Sequence, residues 1–231
     1  MKLNEGVSVT LKSLLAMAAL LLSTAGVANA NDVSRCRDFP SCTKAANAGD
    51  LDAQNELAYM YLHGDGVPQD YKQALRWYTR AAERGNARAQ FNIGKMYYYG
   101  RGVAQDYKQA VRWYTLAAER GLVGAQDNLR IMYQLGEGVA QDYKQAVRWG
   151  KLAAEQGHVE AQYRLGAFYY YGRGIAQDYV KAHMWFNLAA AAGHVSGAQD
   201  RDIVAGLMTR EQIARAQQMA TSCAAKNYKN C

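Results

Sequence analysis

A pattern of apolar and polar positions with a period of 36 residues recurs four times along the chain without a gap. Each copy contains two apolar stripes at the spacing of an amphipathic helix, separated by a glycine-containing loop. A fixed period of this length is typical of a solenoid, in which each unit buries its apolar face only against its neighbours. We therefore predict an all-α solenoid of helix-turn-helix repeats. The four copies occupy residues 50–85, 86–121, 122–157 and 158–193.

Glycines and aspartates mark the helix ends within each copy. In the second copy the first helix stops at Gly100 and Gly102, where a positive φ can turn the chain. The second helix starts at Asp106, and Gln109 three residues later completes the arrangement of a capping box. Because capping explains the recurring aspartate, we assign it no catalytic or metal-binding role. The glycine loop follows a helix rather than a strand and lacks a third glycine, so a phosphate site is not expected.

The first 30 residues have the pattern of a secretory signal peptide. Lys2 and Lys12 flank a basic start, residues 14–22 are mostly apolar, and small residues precede a predicted cleavage site after Ala30. The apolar run is shorter than the roughly 20 residues of a membrane-spanning helix. We predict an exported protein without a membrane span or lipid anchor. The periplasm is its predicted location, and secretion from the cell is the alternative.

The charge of the chain is moderately basic, with a formal net charge of +7. We interpret the basic residues that recur on the second helix as a solvated outer face. Contact with acidic proteins or anionic envelope surfaces is the alternative, and nucleic acid is not an expected partner of an exported protein. This basic stripe consists of Lys72, Arg76, Arg80, Lys108, Arg112, Lys144, Arg148 and Lys151.

All four cysteines lie outside the repeats, and cysteines of exported proteins commonly form disulfides. Four cysteines allow three pairings. Stacked helices lie roughly 8–10 Å apart, so the array separates its two ends far beyond the about 7 Å between Cα atoms that a disulfide tolerates. We therefore predict the local bridges Cys36–Cys42 and Cys223–Cys231. A zinc site is the alternative, although neither pair has C-x-x-C spacing.

The repeat resembles a known family. The pattern A-Q-x-x-L-G-x-x-Y-x-x-G-x-G-V-x-Q-D-Y-x-x-A-x-x-W-Y-x-x-A-A-x-x-G, most complete over residues 89–121, resembles the Sel-like repeat (SLR), a relative of the tetratricopeptide repeat. The resemblance implies a right-handed superhelix. Residues 38–49 align with half a unit, so residues 31–49 are expected to form an N-terminal cap. Residues 194–231 are expected to hold C-terminal capping helices and a tail, with a capping box at Thr209 and Gln212.

The resemblance also implies an adaptor that holds a protein or peptide on a concave wall built by the first helices. The matching positions change from copy to copy, and tyrosine, which is common among them, suits a binding surface. Lys95 beside Tyr98 and Tyr99 indicates an acidic, partly extended ligand segment; a merely solvated face is the alternative. The predicted groove residues are Asn55, Tyr59, Leu62, Phe91, Lys95, Tyr98, Tyr99, Asp127, Arg130, Gln134, Tyr163, Tyr170 and Tyr171.

The third copy departs most from the pattern. Arg130 stands where the neighbouring copies have Gly94 and Gly166, and Gly150 replaces an aromatic residue of the second helix. We favour a packing adjustment, because Gly150 vacates volume in the same unit. The alternative is that Arg130 reaches into the groove as a ligand contact.

Motifs of catalysis are nearly absent from the sequence. Ser41 and Lys44 fit the S-x-x-K motif of penicillin-recognising serine enzymes, but no S-D-N or K-T-G motif accompanies them. A cysteine-rich branch of the Sel-like repeat family, which this repeat resembles, is associated with penicillin binding and weak β-lactam hydrolysis. Penicillin binding or weak β-lactam hydrolysis is therefore the first alternative function. A secreted host-interaction factor is the second. The main prediction is a non-enzymatic protein without cofactor or metal.

Overall fold

The computed structural model describes Cys36 and residues 38–231, and the predicted signal peptide lies outside the described residues. These residues form eleven α-helices and no strand. The helices are α1 (Phe39–Asn47), α2 (Leu51–His63), α3 (Tyr71–Glu83), α4 (Ala87–Tyr99), α5 (Tyr107–Glu119), α6 (Val123–Leu135), α7 (Tyr143–Ala154), α8 (Val159–Tyr171), α9 (Tyr179–Ala191), α10 (Val195–Ala205) and α11 (Arg210–Ala225).

Each helix from α1 to α9 packs against the next in chain order. Four helix pairs, from α2 with α3 to α8 with α9, are the four copies of the sequence repeat, and α1 is the predicted half unit that precedes them. The predicted all-α solenoid with capping helices at both ends is thus confirmed. We refer to α2, α4, α6, α8 and α10 as the first helices.

The loop within each repeat depends on glycine. In the second repeat Gly100 ends α4 with φ of 66°, a left-handed conformation that glycine adopts without strain. Gly102 also has a positive φ, and a Cβ there would lie 2.6 Å from the Cβ of Tyr71 in the preceding repeat. The loop therefore packs tightly against its neighbour, and glycine is the residue that fits.

The aspartate caps are present, but the predicted capping boxes of the second helices are only half correct. The side chain of Asp106 accepts a hydrogen bond from the backbone N–H of Gln109 at 3.0 Å. The backbone N–H of Asp106 donates to the carbonyl of Tyr97 instead of to the Gln109 side chain. The amide is therefore already used to tie the second helix to the first. Full capping boxes form at α1 and, as predicted, at Thr209 and Gln212 of α11.

A recurring buried glutamine, which we did not single out in the sequence, joins successive repeats. The side-chain amide of Gln90 donates to the carbonyl of Ala82 at 3.1 Å, across the junction between the first and second repeats. Gln54, Gln126 and Gln162 make the same bond at their own junctions. Each of these carbonyls lies near the end of a second helix or of α1 and also accepts a backbone N–H, so the glutamine adds a bond that ties one repeat to the next.

The tryptophans of the second helices fill the spaces between helices to different degrees. Trp185 is 1% exposed, and Trp77 and Trp149 are also buried. Trp113 is only partly buried, at the edge of the core. The core is otherwise rich in alanine, which lets the helices approach closely.

The third repeat exchanges the sizes of two facing residues. In the second repeat, a Cβ on Gly94 would lie 2.6 Å from the ring of Tyr114, so glycine makes room for the ring. In the third repeat, a Cβ on Gly150 would lie 2.9 Å from Cδ of Arg130, so the arginine occupies the space that the ring has left. Arg130 is 3% exposed. The packing adjustment predicted from the sequence is confirmed.

The two disulfides are those predicted, Cys36–Cys42 beside α1 and Cys223–Cys231 between α11 and the tail. The C-terminal bridge holds a tail that covers the end of the third repeat, since a Cβ on Gly157 would lie 3.1 Å from the Tyr228 ring. In the first repeat the arginine that follows the second helix covers the matching glycine, with the Arg84 guanidinium donating to the carbonyl of Gly49 at 2.7 Å. The tail thus supplies a contact that the fourth repeat, which has Ala192 at the matching position, does not make.

Helix α11 packs against α9 and closes the outer side of the array. The basic stripe, whose members are all exposed, stops at this point. Met184 stands in α9 where the other second helices have arginine, and it is 1% exposed because α11 covers it. The outward side chains of α11, including Arg210, Glu211 and Arg215, are exposed and polar. Helix α11 therefore ends the solenoid on this side with a polar surface.

Candidate partner-binding face

A row of four clefts follows the first helices, and we call the surface that contains them the first-helix face. The first cleft, of about 400 Å³, is lined by Asn55 and Tyr59 of α2 and by Arg88 and Phe91 of α4. The second, of about 120 Å³, lies between α4 and α6 next to Tyr98, Tyr99 and Ile131.

The third and fourth clefts continue along α6, α8 and α10. The third, of about 310 Å³, is lined by Asp127, Arg130 and Gln134 of α6 together with Glu160 and Arg164 of α8. The fourth, of about 250 Å³, is lined by residues of α8 and α10 that include Tyr163, Tyr170, Tyr171, Asp200 and Ile203.

All the predicted groove residues except Leu62 and Lys95 line one of these clefts. Leu62 is partly buried against the N-terminal part of the core. The Lys95 ammonium is exposed and lies 5.7 Å from the centre of the Phe91 ring. Most of the residues that were chosen from the family pattern therefore lie along one face of the structure.

Some of the predicted residues are buried and bond to other side chains of the first helices, either across two helices or within one. Asn55 is 5% exposed, and its Oδ1 accepts a hydrogen bond from Asn92 at 3.2 Å. Nε of Arg130 donates to Asp127 at 2.7 Å, and Nη1 donates to Gln134 at 3.1 Å. These polar side chains are satisfied inside the array, so they form the floor of the face rather than its contact surface.

Other predicted residues are exposed aromatic rings. Tyr59, Tyr99 and Tyr171 are 45%, 57% and 61% exposed, and each lies near the end of a first helix. A guanidinium lies over the last two rings, Arg101 at 5.3 Å from the Tyr99 centroid and Arg173 at 5.2 Å from the Tyr171 centroid. These arrangements place large, rigid side chains and adjacent cations at the surface.

The hydroxyls of two tyrosines connect a repeat to the segment that follows it, the third repeat in one case and α10 in the other. Tyr98 donates to Glu137 at 2.9 Å, and Tyr163 donates to Asp200 at 3.0 Å. Burial, with the hydrogen bond to Glu137, raises the pKa of Tyr98 to about 12. Burial, with the hydrogen bond to Asp200, raises the pKa of Tyr163 as well. Both hydroxyls therefore stay protonated over the physiological range and remain donors.

A polar network that we did not anticipate borders the fourth cleft. Nε of Arg164 donates to Glu160 at 2.6 Å, and Nε2 of His194 lies 3.1 Å from the other oxygen of the same carboxylate. The His194 ring stacks on Tyr163 at 4.3 Å. Burial disfavours the charge of Glu160, but these hydrogen bonds outweigh it and lower the pKa of the carboxyl. The His at the start of α10 carried no distinctive sequence signal.

No metal site is apparent in the part of the chain that the structure describes. Residues 38–231 contain no group of three His, Cys, Asp or Glu side chains placed to hold a metal ion. Ser41 lies in the first turn of α1, where its hydroxyl donates to the carbonyl of Asp38 at 3.0 Å. The serine of the S-x-x-K match is thus part of a helix cap. No described helix is long and apolar enough to cross a membrane.

Together the fold and the first-helix face define an α-α solenoid of helical-hairpin repeats that carries a row of surface clefts. The profile of the Sel1 repeat matches residues 51–86, 87–122, 124–158 and 159–194. The chain therefore belongs to the Sel1 repeat family, whose repeats are generally protein-interaction modules.

Two solved structures show the same architecture. A protective antigen of uropathogenic Escherichia coli strains, which displays an SLR fold, is 37% identical with a TM-score of 0.71 over 82% of this chain and 42% of its own. A Sel1 repeat protein from Oxalobacter formigenes is 39% identical with a TM-score of 0.67 over 70% of this chain and 47% of its own. The chain thus spans less than half the length of either relative. No curated protein matches the chain significantly.

Proposed function

We propose that this protein is an exported adaptor that binds a protein or peptide along the first-helix face. The observation that carries the proposal is the row of four clefts, whose lining residues differ from repeat to repeat. A solenoid needs recurring residues to stack its units, and it is free to vary residues that stacking does not use. Variable residues that also form clefts are therefore suited to bind a partner.

The exposed tyrosines support a protein or peptide as the partner. Tyr59, Tyr99 and Tyr171 offer broad apolar surfaces with polar tips, and two rotatable side-chain bonds limit the entropy lost on binding. The half-buried Tyr98 and Tyr170 pack edge-on against Tyr99 and Tyr171 at 5.0 and 4.7 Å between ring centres. These contacts hold the exposed rings in place before a partner arrives, which favours tight binding.

The location that fits this proposal is an oxidising compartment. The two disulfides tie α1 and the C-terminal tail to the ends of the solenoid, and such bonds persist outside the reducing cytosol. We propose the periplasm, with secretion as the alternative. Cell fractionation with antibody detection distinguishes the two, because a periplasmic protein is released by osmotic shock and a secreted one is found in the medium.

Photocrosslinking in intact cells tests the proposed function. A photoreactive amino acid replaces Tyr99 or Tyr171, which are exposed, in preference to Tyr98, whose hydroxyl bonds to Glu137. The matched control carries the same amino acid at Arg112, which is exposed on the second helix α5. We expect a protein partner to crosslink to both first-helix positions and not to the control. Crosslinking at Arg112 with none at Tyr99 and Tyr171 would refute the proposal.

A further inference from the structure

The carboxylates of the first-helix face already have partners. Each one that lines a cleft, or bonds to a residue that lines one, is hydrogen-bonded or ion-paired within the described residues. The pairs are Glu56 with Asn55 and Arg88, Asp127 with Arg130, Glu137 with Tyr98, Glu160 with Arg164 and His194, and Asp200 with Tyr163. The negative charge of the face is therefore largely engaged inside the molecule.

Three cations of the same face have aromatic partners and form no ion pair within the described residues. Lys95, Arg101 and Arg173 are exposed, and each lies over a ring. Stacking on a ring uses the flat side of a guanidinium and leaves its N–H edge free for a further acceptor. A carboxylate matches that edge with two parallel hydrogen bonds. The face therefore presents positive charge that is directed toward an outside partner.

The two arginines occupy equivalent places in alternate repeats. The sequence Y-Y-Y-G-R-G occurs at residues 97–102 and again at 169–174, so Tyr99 with Arg101 and Tyr171 with Arg173 form two corresponding Arg–Tyr pairs. Arg173 also lies 5.9 Å from the centre of the Tyr143 ring. The loops of the first and third repeats carry Asp65 and Glu137 at the matching position. The charge between the two loop glycines thus alternates along the edge of the solenoid, with a period of two repeats.

The distance between the Arg–Tyr pairs follows from the stacking of the first helices. Side chains of neighbouring first helices touch, as Asn92 and Asn55 do at 3.2 Å, so one repeat adds roughly 10 Å along the face. The two pairs are then about 20 Å apart. An extended chain covers that distance with about six residues.

We propose that the Arg–Tyr pairs bind two carboxylates, about six residues apart, of an extended acidic segment of a partner protein. The inference rests on the proposed function and specifies the chemistry of its partner. A protein segment fits better than an anionic membrane, because the two pairs are separate points with aromatic walls. A membrane would be met more readily by the basic stripe on the second helices, where eight exposed cations follow one another.

Binding of designed peptides to the full-length oxidised protein tests the inference. The probes are fluorescein-labelled peptides of glycine and serine that carry two Glu-Glu pairs six residues apart, the same pairs three residues apart, or Lys-Lys pairs six residues apart. Fluorescence anisotropy at low salt measures the dissociation constants. We expect the six-residue acidic peptide to bind at least about fivefold more tightly than either of the others. Equal binding of the lysine peptide, or of the three-residue spacing, would overturn the inference.

Variants of the two arginines locate the binding. Arg101→Gln and Arg173→Gln are each expected to weaken the six-residue acidic peptide about fivefold, and the double variant more than either. Arg112→Gln removes the same charge from the second-helix surface and is expected to change the affinity less than about twofold. Circular dichroism checks the fold, and Arg101→Lys, which keeps the charge but not the two parallel hydrogen bonds, is expected to give an intermediate loss.

Two further outcomes separate this inference from the proposed function. If the protein crosslinked at Tyr99 and Tyr171 binds Arg101→Gln/Arg173→Gln as well as the unaltered chain, the inference fails and the proposed function stands. If phosphatidylglycerol vesicles bind through Arg101 and Arg173 while the acidic peptides do not bind, the partner is a lipid surface and the inference fails. If no protein crosslinks to the first-helix face at all, the proposed function itself fails.

Discussion

The interior between packed helices and the first-helix face differ in how far their residues recur from repeat to repeat. In the interior the residues recur, as the buried glutamine that joins each repeat to its predecessor shows. On the face the matched positions change, as in Tyr99 of the second repeat and Leu135 of the third, which are both more than half exposed. The contrast teaches that stacking constrains the interior, whereas the face can vary without loss of the fold.

The third repeat shows the condition under which the interior can change. Arg130 is tolerated there because Gly150 gives up a ring and because Asp127 and Gln134 satisfy the guanidinium. A single change at either position would leave a clash or an unpaired charge. A change of residue in the interior is thus accompanied by a second change beside it. The change from Tyr99 to Leu135 at matching positions of the face needs no second change.

The largest expected effect is the loss of stability when an aromatic ring of the interior is truncated. The same truncation of a ring on the face is the comparison. Trp185→Ala removes a side chain that is 1% exposed and should lower the free energy of unfolding by about 3–5 kcal/mol. Tyr171→Ala removes a side chain that is 61% exposed and should change it by less than about 0.5 kcal/mol. Urea denaturation followed by circular dichroism measures both. Similar losses in the two variants would contradict the contrast.

A double-mutant cycle tests the exchange in the third repeat. Arg130→Gly leaves the buried carboxylate of Asp127 without its cation and should cost about 3 kcal/mol. Gly150→Tyr places a ring against Arg130 and should cost about 1–3 kcal/mol. The double variant restores the glycine and ring of the second repeat, so its loss should be smaller than the sum of the two single losses. Additive losses would mean that the two positions do not share one space.

Loss of the C-terminal disulfide should have a smaller effect, confined to one end. The double variant Cys223→Ser/Cys231→Ser opens a short loop and should reduce stability by about 2 kcal/mol. Hydrogen exchange should quicken in the tail and in α11 and stay unchanged in α2 to α5. Faster exchange throughout the chain would show that the ends and the middle unfold as one unit.

The smallest effect concerns the bond between Tyr98 and Glu137. Tyr98→Phe removes it and should cost about 0.5–1 kcal/mol. The pKa of Tyr98 is raised to about 12 in the folded protein, whereas an unfolded tyrosine ionises near pH 10. The contribution of the protonated Tyr98 hydroxyl to the free energy of unfolding is therefore complete below about pH 10 and is lost as the pH rises through 12. The absorbance of each protein at 295 nm is titrated against pH, and the curve of Tyr98→Phe is subtracted from that of the unaltered chain. The difference should show the ionisation of one tyrosine near pH 12. Ionisation of that tyrosine near pH 10 would contradict the assignment.

The sequence allowed the fold to be predicted further than the site. The helix pairs and the exchange of Arg130 with Gly150 followed from the repeat, because each recurring or missing residue could be compared with its counterparts. The disulfide pairing followed from the distance that a stack of helices puts between its two ends. The roles of Asn55 and Asp127 could not be read in this way, since burial depends on which side of the first helix meets the next repeat. The links to Glu137 and Asp200 join residues that are 39 and 37 positions apart, so they depend on the stacking itself.

The central claim is that the variable face, and not the recurring outer stripe, binds a partner. Isothermal titration of the crosslinked partner against matched double variants tests it most directly. Tyr99→Ala/Tyr171→Ala changes the first-helix face, and Lys144→Ala/Arg148→Ala changes the exposed stripe of α7. We predict at least about a tenfold loss of affinity for the tyrosine pair and less than about twofold for the basic pair. An unchanged affinity of the tyrosine pair, with loss in the basic pair, would contradict the account.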